Sequence, residues 1–323
     1  MTSLAQVTAL VDAHVSRDHT RFRAITLQIA ANMAARSESG AAQLRKLVDQ
    51  QQANSFVPLP SASGLLSAPP ELAALEDMVL APAVRERLDR VVMEYSQRDM
   101  LLVYSLRPAR KLLFTGPPGV GKTMAAGALS RSIGLPMFRV ELHGVIGSHL
   151  GETAGKLAQV FEHVRTMPAV YLFDEFDALG AERGSFSDGS SAGAEMRRVV
   201  NSLLQFIEDD RSDSLIIAAT NHVQTLDRAI FRRFDETIAF SIPSRAELVD
   251  LVRHTLVDVD VDQFDFDAIY AAVTNAKLGH ADVCAAFDHV LKDRVLVGTP
   301  VDTARVIEGI ARRCRSVCTE VLS

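Results

Sequence analysis

The sequence predicts an α/β fold in which helices cover a parallel β-sheet, followed by a second domain made of helices alone. From Lys111 onward, short apolar runs alternate with segments of helical periodicity, which is typical of a parallel sheet covered on both faces. After Pro243 no strand pattern remains, and residues 244–323 show the pattern of about four helices. A chain of 323 residues is long enough for two domains of roughly 150 residues each.

Five short apolar runs are the predicted strands of this sheet. They are Lys111–Thr115, Met137–Leu142, Val170–Phe173, Leu215–Ala219 and Thr237–Phe240. Helical stretches fall between them, at about 122–133, 153–166, 193–208 and 226–233. We therefore expect a five-stranded parallel sheet.

The residues before the sheet divide into three parts. Residues 1–52 are predicted to form an N-terminal segment of two helices, because the stretch 4–52 contains no proline and a single glycine. Residues 53–70 are rich in proline, serine and glycine, and this composition predicts a linker. Leu72 to Tyr104 has a helical pattern, with Pro82 where a first helical turn tolerates proline.

Charge and composition exclude some classes of protein. The formal net charge of −6 provides no overall basic field for binding nucleic acid or anionic lipid. Three cysteines, an odd number, do not form a disulfide framework. No export signal is visible at the N-terminus, and no apolar run approaches the roughly 20 residues that span a bilayer. We therefore expect a cytoplasmic protein without a membrane partner.

The first motif with chemical content is a phosphate-binding loop of the Walker A type. Residues 116–123 fit the pattern Gly-x-x-x-x-Gly-Lys-Thr in full, after a predicted strand and before a predicted helix. The glycines let backbone N–H groups approach phosphates, and the helix N-terminus attracts anions. Lys122 is expected to reach the β- and γ-phosphates, and Thr123 to bind Mg²⁺. ATP and Mg²⁺ are thus the predicted cofactors, and the nucleotide-binding residues are Gly116, Pro117, Pro118, Gly119, Val120, Gly121, Lys122, Thr123 and Met124.

The second motif is a pair of adjacent carboxylates. The apolar strand Val170–Phe173 is followed directly by Asp174 and Glu175, at the end of the strand where open α/β sheets bind ligands. Asp174 is the expected second metal-binding residue, and Glu175 is expected to orient or activate the attacking water. Asp177, shortly after the pair, is expected to begin a helix and to face a subunit interface.

Three further segments make the sequence similar to a known family. Ile216–Asn221 is an apolar strand ending in Thr-Asn, Leu226–Asp235 contains two adjacent arginines, and Gly279–Val283 reads Gly-His-Ala-Asp-Val. With the two motifs above, they resemble the AAA clade of AAA+ ATPases over most of residues 70–290. The resemblance implies a P-loop NTPase fold with a large ATPase domain at 71–243 and a helical lid domain at 244–323.

The same resemblance implies roles for individual residues. Asn221 stands at the end of the sensor 1 strand and is expected to help position the water. Arg232 and Arg233 are the candidate arginine fingers, which act on the nucleotide of a neighbouring subunit. A solvated helix end that pairs locally with Asp235 or Glu236 is the alternative. Gly279 and His280 lie in the turn of the lid that is expected near the adenine and ribose.

The resemblance also implies an oligomer and a pore. A finger donated to a neighbour requires more than one subunit, and the family usually forms hexameric rings. The stretch Ser148–Glu152 is similar to the pore loop that grips polypeptide, although His149 stands where an aromatic ring is usual. His149 and Leu150 are therefore candidate pore residues, and a histidine that only packs on a loop is the alternative.

The leading functional hypothesis is an ATP hydrolase that remodels or unfolds a protein partner. The chain is similar to small bacterial single-ring members of the clade, some of which are encoded beside a subtilisin-like serine protease. A protein client or adaptor, or such a protease, is accordingly the expected partner. Two alternatives stay open: an AAA+ loader acting on nucleic acid, which the acidic charge disfavours, and an ATP-binding scaffold switch with little turnover.

Overall fold

A computed structural model describes residue 26 and residues 64–69, 73–145, 150–177, 191–226, 228–255 and 261–320. Residues 58–133 and 137–323 belong to one compact unit, and residues 1–57 with 134–136 belong to another. Within the predicted N-terminal segment, the described residue is Thr26, which is helical and buried. The prediction of two helices there otherwise lies outside the described residues, as does most of the predicted linker.

The described residues contain a six-stranded sheet. Its strands are β1 Leu66–Ser67, β2 Lys111–Thr115, β3 Met137–Val140, β4 Val170–Phe173, β5 Leu215–Thr220 and β6 Glu236–Ala239. They lie in the order β1-β3-β4-β5-β2-β6. Strands β2 to β6 run parallel, which confirms the predicted parallel sheet and all five predicted strands to within a few residues. Strands β2, β4 and β5 are buried along their whole length, as expected for a sheet covered on both faces.

The sixth strand corrects part of the linker prediction. Leu66 and Ser67 pair antiparallel with Val140 and Arg139 of β3. The Ser67 hydroxyl also donates a hydrogen bond of 2.5 Å to Glu141, just after β3. Two residues of the predicted linker therefore extend the sheet, while the domain boundaries as a whole stay a prediction.

The helices that precede the last strand lie around the sheet. They are α1 Pro82–Ser96, α2 Arg98–Val103, α3 Lys122–Ile133, α4 Leu142–Val145, α5 Leu150–Thr166, α6 Ser191–Asp209 and α7 Arg228–Phe231, with short 3₁₀ turns at Leu75–Asp77 and Val223–Thr225. No helix in the described part of the chain combines the length and apolarity that a membrane crossing needs.

The long helix predicted from Leu72 to Tyr104 is wrong in its first part. The α-helix begins at Pro82, and Ala81 before it is extended, with φ −54° and ψ 138°. The ring of a proline disfavours helical conformation in the residue before it, so Pro82 starts a helix and does not continue one. A second break at Gln97 separates α1 from α2.

In the described residues after the last strand there are four α-helices, which agrees with the prediction of about four. They are α8 Arg245–Thr255, α9 Phe266–Ala276, α10 His280–Val297 and α11 Thr303–Glu320, with a 3₁₀ turn at Val261–Gln263. They share a hydrophobic core of their own, whose most buried members include Leu248, Val252, Ile269, Val273, Val283 and Val306. Val283 of this core lies in the first turn of α10, the turn that contacts the loop after β2.

Candidate nucleotide-binding site

The loop between β2 and α3 has a backbone that depends on its glycines. Gly116, Gly119 and Gly121 have φ values of 139°, 72° and 93°, a region in which residues with a side chain are strained. A Cβ on Gly116 would also lie 2.1 Å from the backbone oxygen of Phe240. Helix α3 begins directly after the loop, at Lys122, so its free N–H groups face the loop.

The Lys122 side chain lies at the centre of the site. Its Nζ donates hydrogen bonds to the carbonyl oxygens of Gly116 and Pro117 and to Oδ1 of Asn221, each at 2.7 Å. Burial lowers the pKa of Lys122, while the nearby charges of Asp174 and Asp177 act in the opposite direction. All three N–H donors of the ammonium are thus directed toward oxygen atoms, in an arrangement that phosphate oxygens could take over.

The two predicted metal-binding residues are in direct contact. The Thr123 hydroxyl donates a hydrogen bond of 3.0 Å to Oδ2 of Asp174. Arg139 lies 3.6 Å from the same carboxylate oxygen. A hydroxyl and a carboxylate are hard oxygen ligands, and Mg²⁺ commonly uses one or two such groups with water and phosphate oxygens. The described residues contain no group of three or more His, Cys, Asp and Glu that could enclose an ion.

Glu175 has a backbone conformation that is uncommon for a residue with a side chain. Its φ is 53°, and its side chain is exposed next to Asp174. The Glu175 N–H donates to Oδ1 of Asp174 at 3.0 Å, and the N–H of Phe176 donates to the Ala219 carbonyl at 2.8 Å. Left-handed residues other than glycine cost about 1–3 kcal/mol and cluster at functional sites.

Asp177 has a structural partner that the sequence did not indicate. Its Oδ1 accepts hydrogen bonds from the Thr220 hydroxyl at 3.0 Å and from the Asn221 N–H at 3.1 Å. These contacts join the end of β4 to the end of β5 and hold the backbone of Asn221. The spacing of Asp177 after the carboxylate pair was visible in the sequence, but its partner 44 residues away was not.

The first turn of α10 packs on the phosphate-binding loop. The Ala281 N–H donates to the Gly119 carbonyl at 2.9 Å. A Cβ on Gly279 would lie 2.6 Å from the Gly119 carbonyl carbon and 2.7 Å from the Pro118 oxygen. Glycine is therefore required at 279 for steric reasons, because its φ of −82° is ordinary. The structure thus places the predicted lid residue Gly279 against the loop.

His280 is half-buried beside this contact, and its ring nitrogens are shielded from solvent. Neither ring nitrogen has a hydrogen-bond partner among the described residues, and Nε2 lies 3.6 Å from Oε2 of Glu247 on α8. Contact with His280 lowers the pKa of Glu247 against the opposing effect of burial, with help from a hydrogen bond from the Ser244 N–H. An imidazole with unused hydrogen-bonding capacity can serve a ligand at this position.

The two candidate finger residues have different surroundings. Arg233 forms an ion pair with Glu208 at the end of α6. Arg232 is exposed, and its side chain makes no hydrogen bond or ion pair with any residue that the structure describes. The alternative of local pairing is not observed there: Asp235 accepts the N–H groups of residues 110 and 111 instead, and Glu236 pairs with Arg87.

The remaining predicted residues lie at the edge of the site or outside the description. Val120 is buried, whereas Pro118, Thr123 and Met124 are exposed at the loop and the start of α3. Leu150 is the first residue of α5, and His149 lies outside the described residues. The pore-loop prediction is therefore unchanged by the structure.

Comparisons with known proteins agree with this geometry. Residues 112–242 match the model of the ATPase family associated with various cellular activities (AAA). An uncharacterized AAA family ATPase of Sinorhizobium fredii, y4kL, is 45% identical over 170 residues, covering 53% of this chain and 50% of that protein. The 26S proteasome subunit RPT4 of Saccharomyces cerevisiae is 30% identical over 195 residues, covering 58% of this chain and 44% of RPT4.

A solved structure shares the fold. The crystal structure of the FIGL-1 AAA domain aligns with a TM-score of 0.55 at 21% identity, covering 79% of this chain and 86% of that one. The chain spans about half the length of the curated relatives it matches. The comparisons therefore concern the ATPase region and its fold, and they leave the remaining parts of those longer proteins aside.

Proposed function

We propose that the protein hydrolyses ATP with Mg²⁺ at the subunit interfaces of a ring oligomer, because residues 112–242 match the model of the AAA ATPase family. We propose further that it uses this hydrolysis to remodel or unfold a protein partner. The observation that carries the proposal is the convergence of Lys122, Thr123, Asp174 and Asn221, which come from three separate parts of the chain, through direct hydrogen bonds.

Nucleotide binding follows from the loop and Lys122. The N–H groups of the loop and of the first turn of α3 surround the phosphates, and the Lys122 ammonium exchanges its carbonyl partners for phosphate oxygens. Mg²⁺, held through Thr123 and Asp174, would neutralise charge on the β- and γ-phosphates. His280 lies at the lid side of the loop; its Nε2 faces Glu247, and its Nδ1 is the ring nitrogen that can bind the base or ribose.

Hydrolysis follows from Glu175 and Asn221. Glu175 accepts a proton from a water molecule while the water oxygen forms a bond to the γ-phosphorus. The bond between this phosphorus and the bridging oxygen breaks, and ADP leaves with that oxygen. Asn221, held by Asp177 and bonded to Lys122, orients this water and the γ-phosphate. The exposed position of Glu175 at the end of β4 supports this role.

We assign the trans-acting finger to Arg232. Arg233 is engaged by Glu208 of its own chain, whereas Arg232 is exposed and has no partner among the described residues. The Arg233–Glu208 pair would hold the end of α7 in place while Arg232 extends toward the next subunit. An arginine donated in this way stabilises charge on the transferring phosphoryl group and raises the rate by about 10³- to 10⁵-fold.

Two exposed apolar segments support assembly with further copies of the chain. One follows the end of α1 and the other ends α10; their members are Met100, Leu102, Val103, Tyr104 and Leu106, and Val295, Leu296 and Val297. Contiguous exposed apolar residues commonly mark interfaces. Since the two segments differ and lie in different parts of the chain, a contact between them would be head-to-tail, the kind that closes into rings. Val103→Asp and Val295→Asp are each expected to lower the oligomer mass measured by light scattering. Unchanged mass in both would refute this surface.

A protein partner is the proposed substrate class. One of the relatives is a proteasome subunit, and the net charge of −6 disfavours nucleic acid. A separate subtilisin-like protease is proposed as a working partner on the resemblance alone. Threading through a pore containing His149 and Leu150 belongs to the same proposal.

The test begins with steady-state phosphate release by the full chain. The parent is expected to release phosphate in the presence of Mg²⁺, Lys122→Ala to lose nucleotide binding, and Glu175→Gln to bind ATP without turnover. Co-purification with Glu175→Gln in ATP is expected to retain the oligomer and a protein client. Wild-type turnover by Lys122→Ala would overturn the site, and ATP binding without any turnover by the parent would favour the scaffold switch.

A further inference from the structure

The first turn of α10 places a carboxylate next to the phosphate-binding loop. Asp282 is the third residue of this helix, and its Oδ2 accepts a hydrogen bond of 3.3 Å from the Gly279 N–H. The same oxygen lies 3.4 Å from the position that a Cβ on Gly119 would occupy. A negative charge this close to the loop opposes the binding of a polyphosphate unless it is compensated.

The compensating charge comes from the last helix of the chain. Arg313 on α11 donates a hydrogen bond from Nε to Oδ1 of Asp282 at 2.9 Å. The Asp282 side chain is 15% exposed and that of Arg313 is 43% exposed, so the pair is partly shielded from water. Its two members are 31 residues apart and belong to different helices.

Close packing of the two helices holds Arg313 in this place. One helical turn before it, Gly309 lies so near to α10 that an added Cβ would be 3.2 Å from the Ala286 carbonyl oxygen. Residues four apart share a helix face, so Gly309 brings the face that contains Arg313 against α10.

We propose that Arg313 is a positioning residue for the nucleotide site, through which the last helix sets affinity for ATP relative to ADP. This inference rests on the proposed function. Arg313 neutralises Asp282 and so removes a repulsion on the polyphosphate. It also holds the carboxylate that caps the first turn of α10, whose Ala281 N–H bonds the Gly119 carbonyl.

Loss of the compensating charge is expected to affect ATP and ADP binding differently, whereas simple loosening of the fold is not. ATP carries about one more negative charge than ADP, so an uncompensated Asp282 weakens ATP binding more than ADP binding. A general loss of packing between α10 and the loop would instead weaken both nucleotides to a similar extent. The ratio of the two dissociation constants therefore reports the charge of the pair.

Arg312 provides a matched control on the same helix. It precedes Arg313 in the chain but contacts His289 and lies 3.6 Å from Glu308, away from Asp282. Arg312→Gln removes the same charge from the protein and from the same helix. It is expected to leave both nucleotide affinities unchanged.

The experiment measures ATP and ADP dissociation constants for the full chain by calorimetry at moderate ionic strength. Arg313→Gln is expected to raise the constant for ATP about fivefold and that for ADP about twofold. Adding Asp282→Asn to this variant is expected to return the ratio of the two constants to the parental value. Asp282→Asn alone, which keeps Arg313, is expected to shift the ratio in favour of ATP.

Several outcomes would overturn the proposal. Equal weakening of ATP and ADP by Arg313→Gln would make the residue merely structural, and an unchanged ratio in Asp282→Asn would refute the repulsion even if Arg313→Gln does not fold. If Arg312→Gln changes the ratio of the two dissociation constants as much as Arg313→Gln does, the effect is due to the net charge of the protein and not to the pair with Asp282. Failure of the parent chain to bind ATP would instead refute the proposed function. The measurement on the parent chain therefore distinguishes failure of the proposed function from failure of this proposal.

Discussion

Replacement of Gly279 by alanine tests the contact between the lid segment and the phosphate-binding loop. The new Cβ would lie 2.6 Å from the Gly119 carbonyl carbon, about 0.8 Å inside ordinary contact at 3.4 Å. The nearest atoms are backbone atoms of Gly119 and Pro118, so no side chain can rotate away, and the first turn of α10 has to move. The hydrogen bond from the Ala281 N–H to Gly119 is the contact that such a movement would lengthen.

The expected cost can be estimated from this displacement. Overpacking of a close contact costs about 1–3 kcal/mol. Misplacement of catalytic groups by about 1 Å can lower the rate about a hundredfold. We therefore expect Gly279→Ala to lower kcat/KM for ATP by about ten- to hundredfold while the protein remains folded. The assay is steady-state phosphate release over a range of ATP concentrations, with circular dichroism to confirm folding.

Gly155 supplies the control for this substitution. It lies in α5 with no atom within 4 Å of an added Cβ. Gly155→Ala is expected to leave turnover unchanged and to raise the unfolding free energy by about 0.4–1 kcal/mol, because alanine has fewer unfolded conformations. Wild-type kcat/KM in Gly279→Ala would show that the close approach at Gly119 has no part in nucleotide turnover.

Three further tests, which use four substitutions, address other parts of the structure. Asp177→Ala releases the Asn221 N–H and is expected to lower kcat about tenfold with little change in ATP affinity; equal loss of both would assign it a binding role. Arg232→Ala is expected to lower kcat by at least about a hundredfold without affecting ATP affinity. Glu208→Gln, which weakens the ion pair with Arg233, is expected to lower kcat less. A larger loss of kcat in Glu208→Gln than in Arg232→Ala would exchange the roles assigned to the two arginines. Burial lowers the pKa of His163, so the unfolded chain binds more protons and the unfolding free energy falls as pH drops below about 6.5. In denaturation curves between about pH 7.5 and 5.5, His163→Gln is expected to reduce this slope, and an unchanged slope would contradict the assignment.

The parts of the fold that depend on local chemistry could be predicted from the sequence. Strands β2 and β4 were predicted with the bounds that the structure shows, because their continuous apolar runs suit a sheet buried on both faces. The helix predicted at about 122–133 from its periodicity is α3, which spans Lys122–Ile133. One error arose where a distant partner decides the conformation: Leu66 becomes part of a strand by pairing with Val140.

The candidate site divides in the same way. Lys122, Asp174 and Glu175 could be singled out from the sequence, since each occupies a fixed place in a short motif next to a strand or helix. The sequence left the two adjacent arginines equivalent. Their difference comes from Glu208, more than twenty residues earlier, which lies beside one of them.

By itself, the sequence predicted the alternation of strands and helices, the phosphate-binding loop and the candidate residues of the site, because these depend on neighbours a few positions away. Tertiary structure alone decided which distant residues meet: Asp177 with Asn221, Gly279 with Gly119, and Arg313 with Asp282. Such contacts depend on how separate strands and helices pack. A side chain that bonds a partner 31 or 44 residues away leaves no local pattern in the sequence that would indicate the contact.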